Sequence, residues 1–272
     1  MITLKNIAAP KLDENVLPVL LTDETLAARK TNLLKKMQQE NYDAVVIYAD
    51  LEHGGNFEYF TGFVPRFEEA LLVIHQNGEA YLVLGNENLN KVSFARIEAS
   101  AVHMPHFSLP NQPMETTLSV PEILKQTRLE QATSIGLIGW KNFTSQQEEN
   151  TVLYDMPYFL VDGLKKVAPD AALKNATYLM IGENGLRTTN NANEIAHYEF
   201  GAMLAGNCIL TGMDQLALGK SEMEVGAYLN NYGQTPSVVT IMATGARFEK
   251  ANLYPTGKKI QLGDRISMTT GY

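Results

Sequence analysis

The sequence predicts an α/β protein: a mixed sheet layered with helices over about the first 175 residues, then a shorter unit of helices and strands. Two continuous apolar runs, Ala44-Val45-Val46-Ile47-Tyr48-Ala49 and Ile135-Gly136-Leu137-Ile138-Gly139-Trp140, have the character of strands buried on both faces. Between them, apolar residues 70–74 and 80–84 flank Asn77-Gly78, a turn dipeptide, so at least one strand pair is antiparallel and the sheet is mixed. Helical patterns alternate with these strands, as a layered sheet requires.

Taken in order, residues 1–21 carry Pro10 and Pro18 and read as an irregular arm on the surface. Thr22 or Asp23 then caps a helix that ends near Asn41. Its apolar stripe is Leu26, Leu33, Leu34 and Met37, with Arg29, Lys30, Lys35 and Lys36 largely outside it. Residues 56–63 have no decisive period. In the Asn77-Gly78 turn both central residues are expected at positive φ. Residues 86–99 read as a helix, followed by a connection holding Pro105, Pro110 and Pro113. Ser119-Val120-Pro121-Glu122 has capping-box spacing and opens a helix to about Glu130. A short strand is expected at 177–181 and a loop at 182–193.

The second part begins with a long helical pattern from Glu194 to about Leu218, with Ile195, Tyr198, Met203, Ile209 and Leu210 expected inward. A second capping box, Ser221-Glu222-Met223-Glu224, starts a helix through Leu229. A strand over 237–244 ends at Gly245. Gly263-Asp264 is a turn, and the strand leaving it has Ile266, Met268 and Thr270 on one side and Arg265, Ser267 and Thr269 on the other. Because the chain stops there, this strand is expected to have its other half elsewhere.

Composition narrows the classes of function. With 45% apolar and 19% charged residues the 272-residue chain is an ordinary globular one, of about two domains. A net charge of −8, with no Lys/Arg block, argues against nucleic acid and anionic membranes as partners. Cys208 stands alone, so no internal disulfide forms, and its apolar surroundings make it a small buried hydrophobe. Met1-Ile2-Thr3-Leu4-Lys5 has no secretory pattern and no apolar run spans a bilayer, so a soluble, cytoplasmic protein is expected.

Few residues suggest chemistry. His103 and His106 are three apart, but Pro105 between them breaks helical chelation and no third ligand is evident. Glu68-Glu69, and Asp50 with Glu52, read as charged loop residues, because adjacent carboxylates point apart. His197 reads as solvent-facing. His53, followed by Gly54-Gly55, is a candidate to line a binding cleft. No phosphate loop, Gly-x-Ser-x-Gly elbow or Cys-x-x-Cys occurs.

Four stretches, in order, carry a family likeness. Asn56-Phe57-Glu58-Tyr59-Phe60-Thr61-Gly62-Phe63 sits between the Asp43–Ile47 run and the hairpin. Gly185-Leu186-Arg187 is followed by Glu194-Ile195, then Gly219-Lys220-Ser221-Glu222-Met223-Glu224-Val225, then Gly263-Asp264. Together they resemble the creatinase and Xaa-Pro aminopeptidase (prolidase-like, pita-bread) family from about Leu26 to Tyr272. The resemblance implies a ribonuclease-H-like α/β domain of the creatinase N-terminal type at 1–181, and the first half of a pita-bread α+β domain at 182–272, which appears incomplete. It implies a homodimer and a small-molecule or short peptide substrate. Peptidase members hydrolyse the bond before proline with two divalent metal ions held by two Asp, one His and two Glu. Creatinases use the scaffold without metal and rely on a His to move protons.

This chain departs from the peptidase pattern. The family's substrate-side His falls at Asn252 and its first metal-ligand Asp at Thr269, while the other ligands would lie beyond Tyr272. Neutral groups cannot offset the desolvation of two divalent ions, so no metal cofactor is expected here. Asn252, Thr269 and His53 remain candidates to hydrogen-bond a small polar ligand, although the first two cannot act as a base near neutral pH. Two readings stay open: a diverged, metal-free hydrolase-like protein whose full chain continues past Tyr272, and a non-catalytic binding or dimerisation module of the same fold.

Overall fold

The computed structural model describes residues 4–112, 114–251 and 253–272, and these fall into two compact units, 22–190 and 1–21 with 191–272. The boundary therefore lies at 190/191, and the arm joins the later unit through side-chain contacts to its first helix, such as Asp13 N to Asn207 Oδ1 at 2.9 Å.

In unit 22–190, α1 (Asp23–Gln39) starts at Thr22, whose side chain accepts from Thr25 N. Leu26, Leu33 and Met37 are buried as the stripe predicts. Arg29 is buried too, against expectation, because its Nη1 donates to Tyr59 O at 2.8 Å and its guanidinium lies 4.0 Å from the Tyr59 ring centroid. Strand β1 (Ala44–Ala49) is buried throughout. The undecided 56–63 stretch becomes α2 (Gly55–Thr61), ended by Gly62 at φ 74°. A Cβ at Gly62 would come within 2.7 Å of Arg96 Cγ, so Gly62→Ala should cost about 1 kcal/mol or more in a denaturant titration.

β2 (Ala70–His75) and β3 (Ala80–Leu84) form the expected hairpin. Only Gly78 of the turn has positive φ, at 90°. Gly78 N donates to His75 O and His75 N to Glu79 O, both at 2.9 Å, a turn closed by one left-handed glycine rather than the two-residue mirror-image turn expected. The 86–99 region forms only a 3₁₀ segment, Leu89–Phe94, and β4 (Ser100–His103) follows. α3 (Val120–Lys125) has its capping box but stops before Glu130, because Arg128 takes the left-handed conformation. Then come β5 (Ser134–Ile138), α4 (Tyr158–Val167), β6 (Ala172–Asn175) and α5 (Tyr178–Ile181). The last is a helical turn where a strand was expected. A four-residue apolar run fits either, and here Leu179 and Met180 turn into the core.

The sheet order is β4-β3-β2-β1-β5-β6, antiparallel at β1/β2 and β2/β3 and parallel elsewhere, so it is mixed as predicted. Alternate residues of β1 serve two cores. Ala44, Val46 and Tyr48 pack with α3 and α4, and Val45, Ile47 and Ala49 with α1, α2 and α5. That double burial is why the strand reads as an unbroken apolar run.

In the second unit, α6 (Ala192–Asp214) is capped by Asn191 with a full capping box. Its inner face is only partly the predicted one: Ile209 packs against the core of this unit, and Met203 and Leu210 are half-buried. Ile195 and Tyr198 are 58% and 48% exposed, whereas Glu194, Leu204, Asn207 and Cys208 are buried. α7 (Glu222–Gly226) starts at the predicted Ser221 box. Strand β7 is shorter than predicted (Ile241–Thr244). The single helical turn α8 (Ala246–Glu249) follows, and β8 (Ile266–Thr269) pairs antiparallel with β7, Thr269 opposite Ile241. Ile266 and Met268 pack against a small core of Val225, Leu229, Met242 and Ile260, so the apolar side of β8 is covered within its own unit.

Candidate functional site

In unit 22–190 the topology itself singles out a position. From β1 the chain crosses to β2 on one side, while β5 lies parallel on the other side and leads on to β6. Ligands of open α/β sheets sit outside the carboxyl ends of strands at such a switch point. Here those ends are Asp50 to Gly55 after β1 and Gly139-Trp140 after β5.

The residues there form one connected group. Asp50 Oδ1 accepts from Glu52 N at 2.9 Å and His53 N at 2.7 Å, a local turn that fixes its carboxylate. Its Oδ2 lies 3.0 Å from His53 Nδ1. With Nδ1 so engaged, Nε2 of a half-exposed imidazole is the atom left to meet a ligand. The His53 ring stacks on Trp140, centroids 4.4 Å apart and planes at 23°. Trp140 N and Lys141 N donate to Asp155 Oδ2 at 2.6 and 2.7 Å, holding that loop. Asn56, 2% exposed, donates to Gly139 O at 2.6 Å and accepts from Arg187 Nη1 at 2.8 Å. A Cβ at Gly55 would lie 3.1 Å from Arg187 Nη2, close enough that the guanidinium would have to shift slightly.

Electrostatics follow from burial and these bonds. Burial pushes the Asp50 carboxyl up, but the His53 ring, the His53 and Glu52 amides and the His53 charge outweigh it and hold it below the usual range. Burial, with Asp50 and Glu68 nearby, pushes Glu69 up. Burial and the charges of Asp50 and Glu69 push the Tyr48 hydroxyl well up. In His53→Ala the Asp50 carboxyl should therefore titrate higher than in the parent protein, as read by carboxyl NMR; an unchanged midpoint would remove His53 as its partner.

Of the residues singled out from sequence, His53 lies in this group. Asp50 and Trp140 are members that sequence reading missed. The Asp-x-x-His spacing after a strand was a legible signal, whereas Trp140 depends on the parallel β1/β5 register and had none. Glu68 is not a loop charge either: it is 3% exposed and accepts from Glu87 N, Asn88 N and Asn88 Nδ2. His103 meets Asn86 Oδ1 at 2.8 Å on the edge strand. A polar recess of about 450 Å³ opens at the other end of β1, around Asp43, His75 and Arg128, and contains none of this group.

In the other unit, Thr269 is half-buried on β8, and Asn252 lies outside the described residues. His197 is half-buried, its Nδ1 2.6 Å from Val19 O, rather than free in solvent. Two carboxylates that meet or adjoin the two strands are already committed. Asp264 Oδ2 accepts from Lys258 Nζ at 2.6 Å and Gln261 N at 3.0 Å. Glu222, fully buried, accepts from Thr244 N and Oγ1, Thr256 N and Oγ1, and Arg247 Nε, all between 2.7 and 3.0 Å. Among the described residues no three His, Cys, Asp or Glu side chains converge as ligands. The hydroxyl at 269 carries no charge to offset the desolvation of a divalent ion.

Unit 22–190 is thus a mixed-sheet α/β domain with a polar group at the carboxyl ends of β1 and β5. A family profile described as the creatinase/prolidase N-terminal domain matches residues 29–181, and the chain belongs to that family. No curated protein matches it in sequence. Its fold is similar to that of the Xaa-Pro dipeptidase from Bacillus anthracis (16% identity, TM-score 0.61, 90% of this chain and 61% of that one). It is also similar to the prolidase from Pyrococcus furiosus (19%, 0.62, 88% and 64%) and the X-Pro aminopeptidase from Thermotoga maritima (16%, 0.63, 89% and 60%). The chain thus spans about three-fifths of the length of these proteins. Among the described residues no helix is long and apolar enough to cross a membrane.

Proposed function

We propose that the protein is a diverged hydrolase-like member of the Xaa-Pro aminopeptidase and creatinase family that handles a short peptide or small amidine-type substrate without the peptidases' metal pair. The observation that carries this reading is Thr269: a neutral hydroxyl stands on β8 where the family's first metal-ligand carboxylate would be, and Asp264 and Glu222 are tied to Lys258 and Arg247. The His53 group supports it. A imidazole oriented through Nδ1 by Asp50 and backed by Trp140 can donate or accept a hydrogen bond, or move a proton, at Nε2. Thr269 is assigned to substrate binding on the same reading. Homodimeric assembly and a cytoplasmic location belong to the proposal; the family likeness supports the first, and the single cysteine, Cys208, fits the second.

A non-catalytic binding module is the second reading, favoured by the same commitment of Asp264 and Glu222 to ion pairs. Elemental analysis of the purified protein, with Gly-Pro and Ala-Pro cleavage assays, tests both. Turnover without stoichiometric metal, lost in His53→Ala, supports the first reading. Saturable peptide binding without turnover supports the second. Stoichiometric manganese, zinc or cobalt would overturn the metal-free assignment.

A further inference from the structure

The arm is not simply laid on the surface; α6 grips it by its main chain. Asn207, 4% exposed, takes both polar groups of one residue, accepting from Asp13 N at 2.9 Å and donating to Asp13 O at 2.6 Å. Nearer the helix start, His197 Nδ1 donates to Val19 O at 2.6 Å and Asn193 Nδ2 to Leu20 O at 3.0 Å. At about 100° per residue these three side chains share a stripe about 80° wide, spanning about 21 Å of helix. Residues 13 to 20 in extended, proline-type geometry span about 22 Å, so arm and stripe match in length, running antiparallel.

All four contacts go to the arm's backbone. Its leucine side chains take little part: Leu12, Leu17 and Leu20 are 49%, 74% and 79% exposed, Asp13 Oδ1 accepts from the arm's own Asn15 N, and only Val16 and Val19 of this stretch are half-buried. Three of the contacts take a carbonyl, which a segment containing Pro18 can offer where it lacks an N–H. We propose that α6 carries a binding groove for extended peptide segments, read through their main chain, and that residues 13–20 are its built-in, exchangeable occupant. Because the arm belongs to the same chain, its binding is intramolecular, and that keeps the groove filled. An outside peptide enters only when the arm is cut or displaced.

The test uses the full chain with a specific protease site placed between residues 21 and 22, cleaved after purification. A fluorescein-labelled synthetic peptide of residues 4–21 is then added in excess and followed by anisotropy. Saturable exchange is expected, at least tenfold weaker for Asn207→Ala, and unchanged within about twofold for the Leu17→Ser peptide. Should Asn207→Ala fold poorly, a peptide N-methylated at Asp13 removes the same contact against the unaltered protein and should also bind at least tenfold more weakly. No entry of the labelled peptide after cleavage, full-strength binding of the N-methylated peptide, or a tenfold loss with Leu17→Ser would overturn the proposal.

Discussion

Glu222→Ala is expected to lower the unfolding free energy by about 3–5 kcal/mol, the usual cost of removing one partner from a buried ion pair. The carboxylate is fully buried and receives five hydrogen bonds, so its loss takes an acceptor at once from Arg247 Nε and from the Thr244 and Thr256 amides and hydroxyls, although Arg247 keeps Tyr254 O. Glu222→Gln, which keeps the shape and some acceptors, should lose less. Guanidinium titrations of the three proteins check this, and a loss below about 1 kcal/mol for the alanine variant would show that the network relaxes or hydrates instead. Burial alone would push Glu222 up, but the Thr256 and Thr244 hydrogen bonds hold its folded pKa below the ordinary value of 4.5. A depressed carboxyl stabilises the fold above its unfolded pKa and loses that contribution as pH falls through the folded one. Parent stability should therefore decline below about pH 4.5. The difference between parent and Glu222→Gln should narrow over the same range.

Phe57→Ala should cost about 3–5 kcal/mol as well, by a different route. Phe57 is wholly buried in α2, meets Phe63 edge-on with centroids 5.3 Å apart, and packs in the same core as Phe60, Leu33 and Met37. Truncation leaves a cavity that a sheet on one side and a helix on the other cannot close. Thermal unfolding followed by far-ultraviolet circular dichroism reads the loss; a shift equal to that of an exposed control such as Phe94→Ala would refute the packing assigned to Phe57.

Both residues lie in stretches that carried the family likeness, yet their roles differ in legibility. The sequence around Ser221 displays a capping box, since a cap spans only four residues of local chain. Glu222's burial is not displayed there, because its partners arrive from 22 to 34 residues further along. The candidate site repeats the pattern. Asp50 and His53 stand three apart and form their contact locally, whereas Trp140 reaches His53 only through strand pairing. The partial miss on the face of α6 has a related cause: Glu194 and Asn207 are buried by a capping contact and by the arm, neither of which apolar periodicity registers.

What the amino-acid order determined by itself was everything set within a few residues or by unbroken apolar character: the caps at Thr22, Ser119 and Ser221, the hairpin at Gly78, the doubly buried β1 and the mixed sheet. Tertiary structure alone decided which polar groups are buried, what Asp264 and Glu222 are bound to, and that His53 meets Trp140. Such pairings are made between segments distant in the chain, and the energy of a buried charge or a stacked ring depends on the partner that folding brings to it rather than on its neighbours in sequence.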